Sequence, residues 1–211
     1  MDIYLSSAYL APVQYFSKFM LGDIYIEQYD NYTKQTYRNR CSILSANGPI
    51  ALSIPVVHSS SEKTPMKDIR IAGHGNWQHM HWNAIVSAYN STPFFEYYQD
   101  DFYPFYHKEF RFLFDFNEEL RDLILKLLNI NEPSIMYTTQ YKTDFSLNEL
   151  DFRDSIHPKK DWKLLDLAFA PVPYYQVFEQ KFGFVENLSI IDLLFNMGNE
   201  SLLILKESAG L

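Results

Sequence analysis

Ile3-Tyr-Leu-Ser-Ser-Ala-Tyr-Leu-Ala-Pro12-Val-Gln-Tyr-Phe-Ser-Lys-Phe-Met-Leu-Gly22-Asp-Ile24-Tyr-Ile-Glu-Gln28 sets two β-prone runs on either side of a helix-sized segment. Pro12 suits a first helical turn, where its missing N–H has no intrahelical partner to lose, and Gly22 suits the stop. Ile3 to Leu5 and Ile24 to Gln28 carry the β-branched and aromatic residues that favour strands. The stretch therefore predicts a strand-helix-strand unit with a right-handed crossover. Arg40 to Leu44 and Ile50 to Val56 are strand-like runs around Asn47-Gly48, a pair whose tolerance of positive φ predicts a hairpin. All four strands are expected in one sheet. Ile69 to Ile71 is a possible further strand, and His58 to Met66 reads as a polar loop.

The remainder is read as mainly helical. Asn76 is a candidate cap for a helix with Trp77, Met80, Ala84, Ile85, Ala88 and Tyr89 on one face. Phe94 to Phe116 is aromatic without a clear period. Asn117 is a candidate cap for a helix burying Leu120, Leu123, Ile124, Leu127 and Leu128. From Ile135 to about Asp161 periodicity is weak. Helices are then expected over 173–182, 189–197 and 200–206, the first two stopped by Gly183 and Gly198. The expected class is α/β: a mixed sheet with an N-terminal β-α-β unit and a β-hairpin, packed by helices, with a helical C-terminal half. One domain over residues 1–211 is expected.

With 47% hydrophobic and 17% aromatic residues in 211, the chain can bury a full core. Its net charge of −8 opposes nucleic acid and acidic membrane surfaces, which attract Lys and Arg. Cys41 is the single cysteine, so an intrachain disulfide is excluded. The longest apolar runs fall short of the ~20 residues of a membrane span. Met1-Asp2 opens the chain without a leader-like charge pattern, so a cytoplasmic protein is expected. Oligomeric state is left open.

Against this acidic background, residues 29–40 form a basic island, with Lys34, Arg38 and Arg40 facing Asp30. Guanidinium groups bind phosphate or carboxylate in a planar fork, so a small anionic substrate is the expected partner. If the segment enters a strand, Arg38 and Arg40 share one face and could clamp one anion, with Asn39 on the other face. The alternative is a pair of surface salt bridges. Lys34 is a further candidate contact, as are Tyr9, Pro12 and Gln14 at the rim of a helix start, where Gln14 could instead cap the helix. A gly-rich phosphate fingerprint is missing, so the likeness to nucleotide-binding α/β sheets is one of fold.

His81 is the candidate general base by residue type, with a core-facing role as the alternative. His79 and His81 project about 200° apart on a helix, and with one cysteine a metal site is not expected. A cofactor is not expected either. Asp192 lies three residues after Ser189 in a helix-start pattern. Tyr174, Tyr175 and Gln176 are candidates to line a sugar site or to be core. Cys41 reads as a buried, inert thiol.

Ala8-Tyr-Leu-Ala-Pro12 with Gln14-Tyr-Phe16, Lys34 to Arg40, Leu52-Ser-Ile-Pro55, Trp77 with His81, Ala88-Tyr89 to Pro93-Phe-Phe95, Gly183-Phe184 and Leu188 to Asn196 together resemble the WbqC-like family over nearly the whole chain. The resemblance implies a role in bacterial surface-polysaccharide (O-antigen or exopolysaccharide) biosynthesis. It further implies a transferase moving an aminoacyl (glycine) or other acyl group onto a sugar nucleotide. A non-catalytic binding or assembly protein of the same pathway is the alternative. Where the family opens with Gln-Pro, this chain has Ser7-Ala8, and Ala11 separates Leu10 from Pro12.

Overall fold

In β1 (Asp2–Ser6) and β2 (Asp23–Glu27), alternate residues Ile3, Leu5, Ile24 and Ile26 are fully buried on one face. The strands pair in parallel, Ile3 opposite Ile24, across the short helix α1 (Val13–Ser17) and a 3-10 turn (Lys18–Met20). The computed structural model describes residues 1–57, 63–131 and 133–211, so part of the expected 58–66 loop lies outside the described residues. Pro12 takes the cap position before α1. Gly22 is needed for close approach: a Cβ there would lie 2.0 Å from the Met1 carbonyl oxygen, which accepts from Asp23 N–H.

Two three-residue strands, β5 (Ile135–Tyr137) and β6 (Glu149–Asp151), complete a parallel four-stranded sheet in the order β5-β2-β1-β6. The hairpin of β3 (Arg40–Ser45) and β4 (Gly48–Ser53) forms its own two-stranded sheet, not an extension of the first. Its two-residue turn is Ala46-Asn47, one residue earlier than expected. The positive φ, 109°, falls on Gly48, while Ser45 Oγ accepts from Asn47 N–H and donates to Gly48 O.

On α2 (Trp77–Tyr89) the buried stripe is Trp77, His81, Ile85, Ala88 and Tyr89. The stripe passes through His81, while Met80, expected on it, is 57% exposed. Asn76 sits at the cap position with φ 47° and makes no side-chain cap bond. The aromatic segment yields α3 (Phe95–Phe102) and a 3-10 turn. Its rings, with Tyr89, surround Phe195 and, with Tyr9 and Trp77, surround Phe116. Helix α4 (Leu113–Leu127) starts four residues before Asn117, which is therefore a buried interior residue and not its cap.

The C-terminal helices are α5 (Trp162–Leu165), α6 (Glu179–Phe182), α7 (Ile190–Met197) and α8 (Ser201–Ser208). Of the helix expected over 173–182, the last turn forms. Helix α1 packs on α7 and α8, and α2 packs on β3, which ties the hairpin to the core. No helix among the described residues is long and apolar enough to cross a membrane.

Candidate functional site

The chain runs from β1 to β2 and β5 on one side, then crosses to β6 on the other side of β1. In open parallel sheets such a reversal opens a crevice beyond the carboxyl ends of the strands, the usual ligand position. A narrow cleft lies at this point, lined by Ser6 and Ser7 at the end of β1, Tyr37 and Arg38 of the basic island, and Phe152 and Arg153 after β6. Its walls leave room for about one water molecule.

Arg38 is buried, and its Nε donates to Asp30 Oδ2 at 3.0 Å while Nη2 donates to Ser6 Oγ at 2.9 Å. Ser6 Oγ donates in turn to Asp30 Oδ2, 3.0 Å. Burial raises the Asp30 carboxyl, and the Arg38 charge works against that rise. Asn117 braces this wall by donating to the Arg38 carbonyl at 2.8 Å and to Ser7 Oγ at 3.3 Å. On the opposite wall Arg153 donates to Glu27 at 2.9 Å and to both oxygens of Asp151 at 2.8 Å. Each guanidinium thus faces two carboxylates, since Asp154 also lies 3.8 Å from Arg38.

Cations border the cleft beyond its lining residue Ile156. His157, Lys159 and Lys160 follow the β6 wall, and Lys159 Nζ donates to Gln35 of the basic island. Burial, followed by Lys160 and Arg38, pushes the His157 imidazole below its ordinary value. With Nδ1 accepting from Lys159 N–H at 3.0 Å, the neutral ring carries its proton on Nε2 and presents a donor. Two basic segments more than a hundred residues apart therefore meet beside the cleft.

The other sequence candidates are spread around this cleft. Arg38 precedes β3, which begins at Arg40, so the alternation that would align the two does not apply. Arg40 instead donates to Ser53 Oγ at 2.9 Å, and Asn39 donates to Ile54 O at 2.8 Å. Lys34 is exposed on the island. Gln14 neither caps α1 nor lines the cleft: its Nε2 donates to Asp166 at 2.8 Å and its Oε1 accepts from Asn187 at 3.3 Å. Tyr9 and His81 do meet, with the hydroxyl 2.9 Å from Nδ1 and 2.9 Å from the Tyr106 hydroxyl. Both are buried in the core and outside the cleft lining. Cys41 is buried, and burial raises its thiol well above the ordinary value. Tyr174 and Gln176 donate to Asp192 at 2.8 and 3.0 Å, as does Tyr89 at 3.0 Å, so Asp192 is a buried acceptor and not a capping carboxylate.

Two of these core groups carry opposite pH dependence. Burial pushes the Asp192 carboxyl up to about 6, so its contribution to stability is present below about pH 4 and is lost as pH rises through 6. Burial pushes the His81 imidazole down to about 4, so its contribution is present above about pH 6.5 and is lost as pH falls through 4. Each spans about 3 kcal/mol, and in the wild type they offset each other. Urea midpoints across pH 4 to 7 are expected to show wild type losing about 3 kcal/mol relative to Asp192→Asn and gaining about as much relative to His81→Gln. Parallel curves for all three proteins would refute both assignments.

Ser6, Asp30, Arg153, His157, Lys159 and Lys160 were not selected from the sequence as site residues. Charge density around 153–160 was the available signal, masked by weak periodicity. Neither a curated protein nor a solved structure matches the chain. The model of the WbqC-like protein family matches residues 7–152, which takes in Ser7, the basic island, α2, α4 and the start of the β6 wall. That span is more than half of the 211 residues, and the chain belongs to the WbqC-like protein family.

Proposed function

We propose that the protein binds a small phosphorylated or carboxylated ligand, such as a sugar nucleotide, on the basic segments that border the switch-point cleft. It would serve as a transferase in bacterial surface-polysaccharide biosynthesis, moving an aminoacyl or other acyl group. The observation that carries the binding step is the meeting of the basic island with the His157 to Lys160 segment beside the cleft. Membership of the WbqC-like family supports the pathway. Arg38, Arg40 and Lys34 supply charge, and His157 supplies a donor. Asp30 is the titratable group within hydrogen-bond reach of Arg38 and serves as proton acceptor. A binding or assembly role is the second reading, favoured by the pairing of Asp30 with both Arg38 and Ser6.

Calorimetric titration with a uridine diphosphate sugar and with inorganic pyrophosphate tests the site. Arg38→Lys is expected to weaken binding tenfold to more than a hundredfold, since an ammonium keeps the charge but loses the fork, about 1.5 to 3 kcal/mol. Lys159→Ala, on the exposed border of the cleft, is expected to weaken it less, with the circular dichroism of both variants unchanged. Wild-type affinity in both variants would remove the cleft from the proposal. Turnover of an acyl donor abolished by Asp30→Asn would favour the transferase reading, and retained binding without turnover would favour the second.

A further inference from the structure

The face of the parallel sheet opposite Ile3, Leu5, Ile24 and Ile26 carries Tyr4 and Tyr25, adjacent in register and stacked with centroids 4.8 Å apart. Residues 138–144 run beside this face and leave a groove of about 480 Å³ between them. Tyr25 is held from behind by Tyr4, which is itself covered by the edge of Phe145. Tyr141 is 49% exposed, and the Arg153 guanidinium packs on its ring at 4.7 Å. Two tyrosine rings are thus fixed on one side and turned to the groove on the other. Around them stand the exposed, neutral hydrogen-bonding side chains of Thr139 and Gln140.

The charges bordering the groove are largely internal. Lys142 Nζ lies 2.7 Å from Glu149 Oε1, which also accepts from the Tyr4 hydroxyl at 3.0 Å. Lys142 and the Ser146 backbone hold the Glu149 carboxyl down at about 2, so this pair stays charged and closed. A polyanion meets Asp144 and Glu149 here, and a cation meets Lys142 and Arg153. A ligand that alternates apolar C–H faces with many neutral hydroxyls matches both the rings and the amide and hydroxyl side chains. Rigid rings lose little conformational freedom on contact, which favours even a weak ligand of this kind.

We propose that this groove is a binding site for neutral saccharides, separate from the anion cleft. It is formed by Tyr25, backed by the buried ring of Tyr4, together with Tyr141 and Gln140. The two sites adjoin: Arg153 lines the cleft, and Tyr141, which packs on Arg153, lines the groove. The proposal does not depend on the ligand of the cleft.

Saturation-transfer NMR and calorimetry with cellobiose, maltotriose, chitobiose and laminaribiose as probes provide the test, with uridine as a nucleobase probe and inorganic pyrophosphate as the cleft probe. At least one saccharide is expected to bind wild type. Tyr141→Ala and Gln140→Ala are each expected to weaken it about tenfold. Tyr141→Phe, which keeps the ring, is expected to bind as wild type does. Absence of binding by all four saccharides overturns the proposal, as does wild-type affinity in both alanine variants or uridine binding in place of the sugars. Pyrophosphate binding reads the cleft alone, so loss of the groove result and loss of the cleft result are distinguishable.

Discussion

Replacing Asp166 by alanine is expected to destabilise the protein by about 3 to 5 kcal/mol, because it leaves the ammonium of Lys18 buried without its counter-charge. Lys18 is fully buried, with Nζ 2.6 Å from Asp166 Oδ2 and the ring of Phe152 centred 4.7 Å away. Burial pushes the lysine below its ordinary value, and Asp166 opposes that shift. Gln14 donates to the same Asp166 oxygen at 2.8 Å, so the substitution also removes an acceptor from a buried amide. The double variant Lys18→Met with Asp166→Leu is expected to recover most of the loss, since apolar side chains of similar volume avoid desolvating two charges. Urea denaturation of the three proteins measures both effects. Equal losses in the single and double variants would show that packing around 166, not charge, holds this region. The pair matters for function because Phe152 is shared: its ring covers Lys18 and lines the cleft.

The parts of the fold legible in the sequence are those where one pattern decides the outcome. Ile3, Leu5, Ile24 and Ile26 alternate on a single buried face, so β1 and β2 follow from period two. The three-residue strands β5 and β6 are too short to show any period, and Leu150 alone of β6 packs against the core. Without β6 the reversal of strand order was invisible, and with it the position of the cleft. The buried stripe of α2 differs from the expected one at one point, where a histidine stands in place of Met80. Tyr9, whose hydroxyl is also bonded to Tyr106, supplies the partner that lets His81 occupy the core in place of Met80. Asn117 and Gln14 resemble capping residues by type, yet each spends its amide on a partner more than seventy residues away. Such pairings depend on tertiary contacts and leave no local trace. The basic island was legible as a charge excess, but its geometry was not: Arg38 turns inward to Asp30 before the strand begins.

Glu27 ties together three segments at the carboxyl ends of the parallel strands, and Glu27→Gln is expected to cost about 3 to 5 kcal/mol although it changes neither size nor shape. Glu27 is fully buried at the end of β2. Its Oε1 accepts from Tyr29 N–H at 2.8 Å and from Thr138 Oγ1 at 2.8 Å, while Oε2 accepts from Arg153 Nη1 at 2.9 Å. Both oxygens therefore face donors, and three different segments converge on them. A glutamine keeps one acceptor oxygen and turns an NH2 toward donors on the other side, so a buried N–H meets either Arg153 or the Tyr29 and Thr138 pair. The arginine also loses a counter-charge and retains Asp151. Because Arg153 is a wall of the cleft, the same substitution is expected to weaken pyrophosphate binding in calorimetry as well as to lower the urea midpoint. Arg153→Met in the Glu27→Gln background is expected to restore part of the stability but not the binding. That split separates the structural contribution of the buried pair from its role in shaping the cleft. Full restoration of both, or a stability loss below about 1 kcal/mol as for an exposed pair, would show that Glu27 does not organise this end of the sheet.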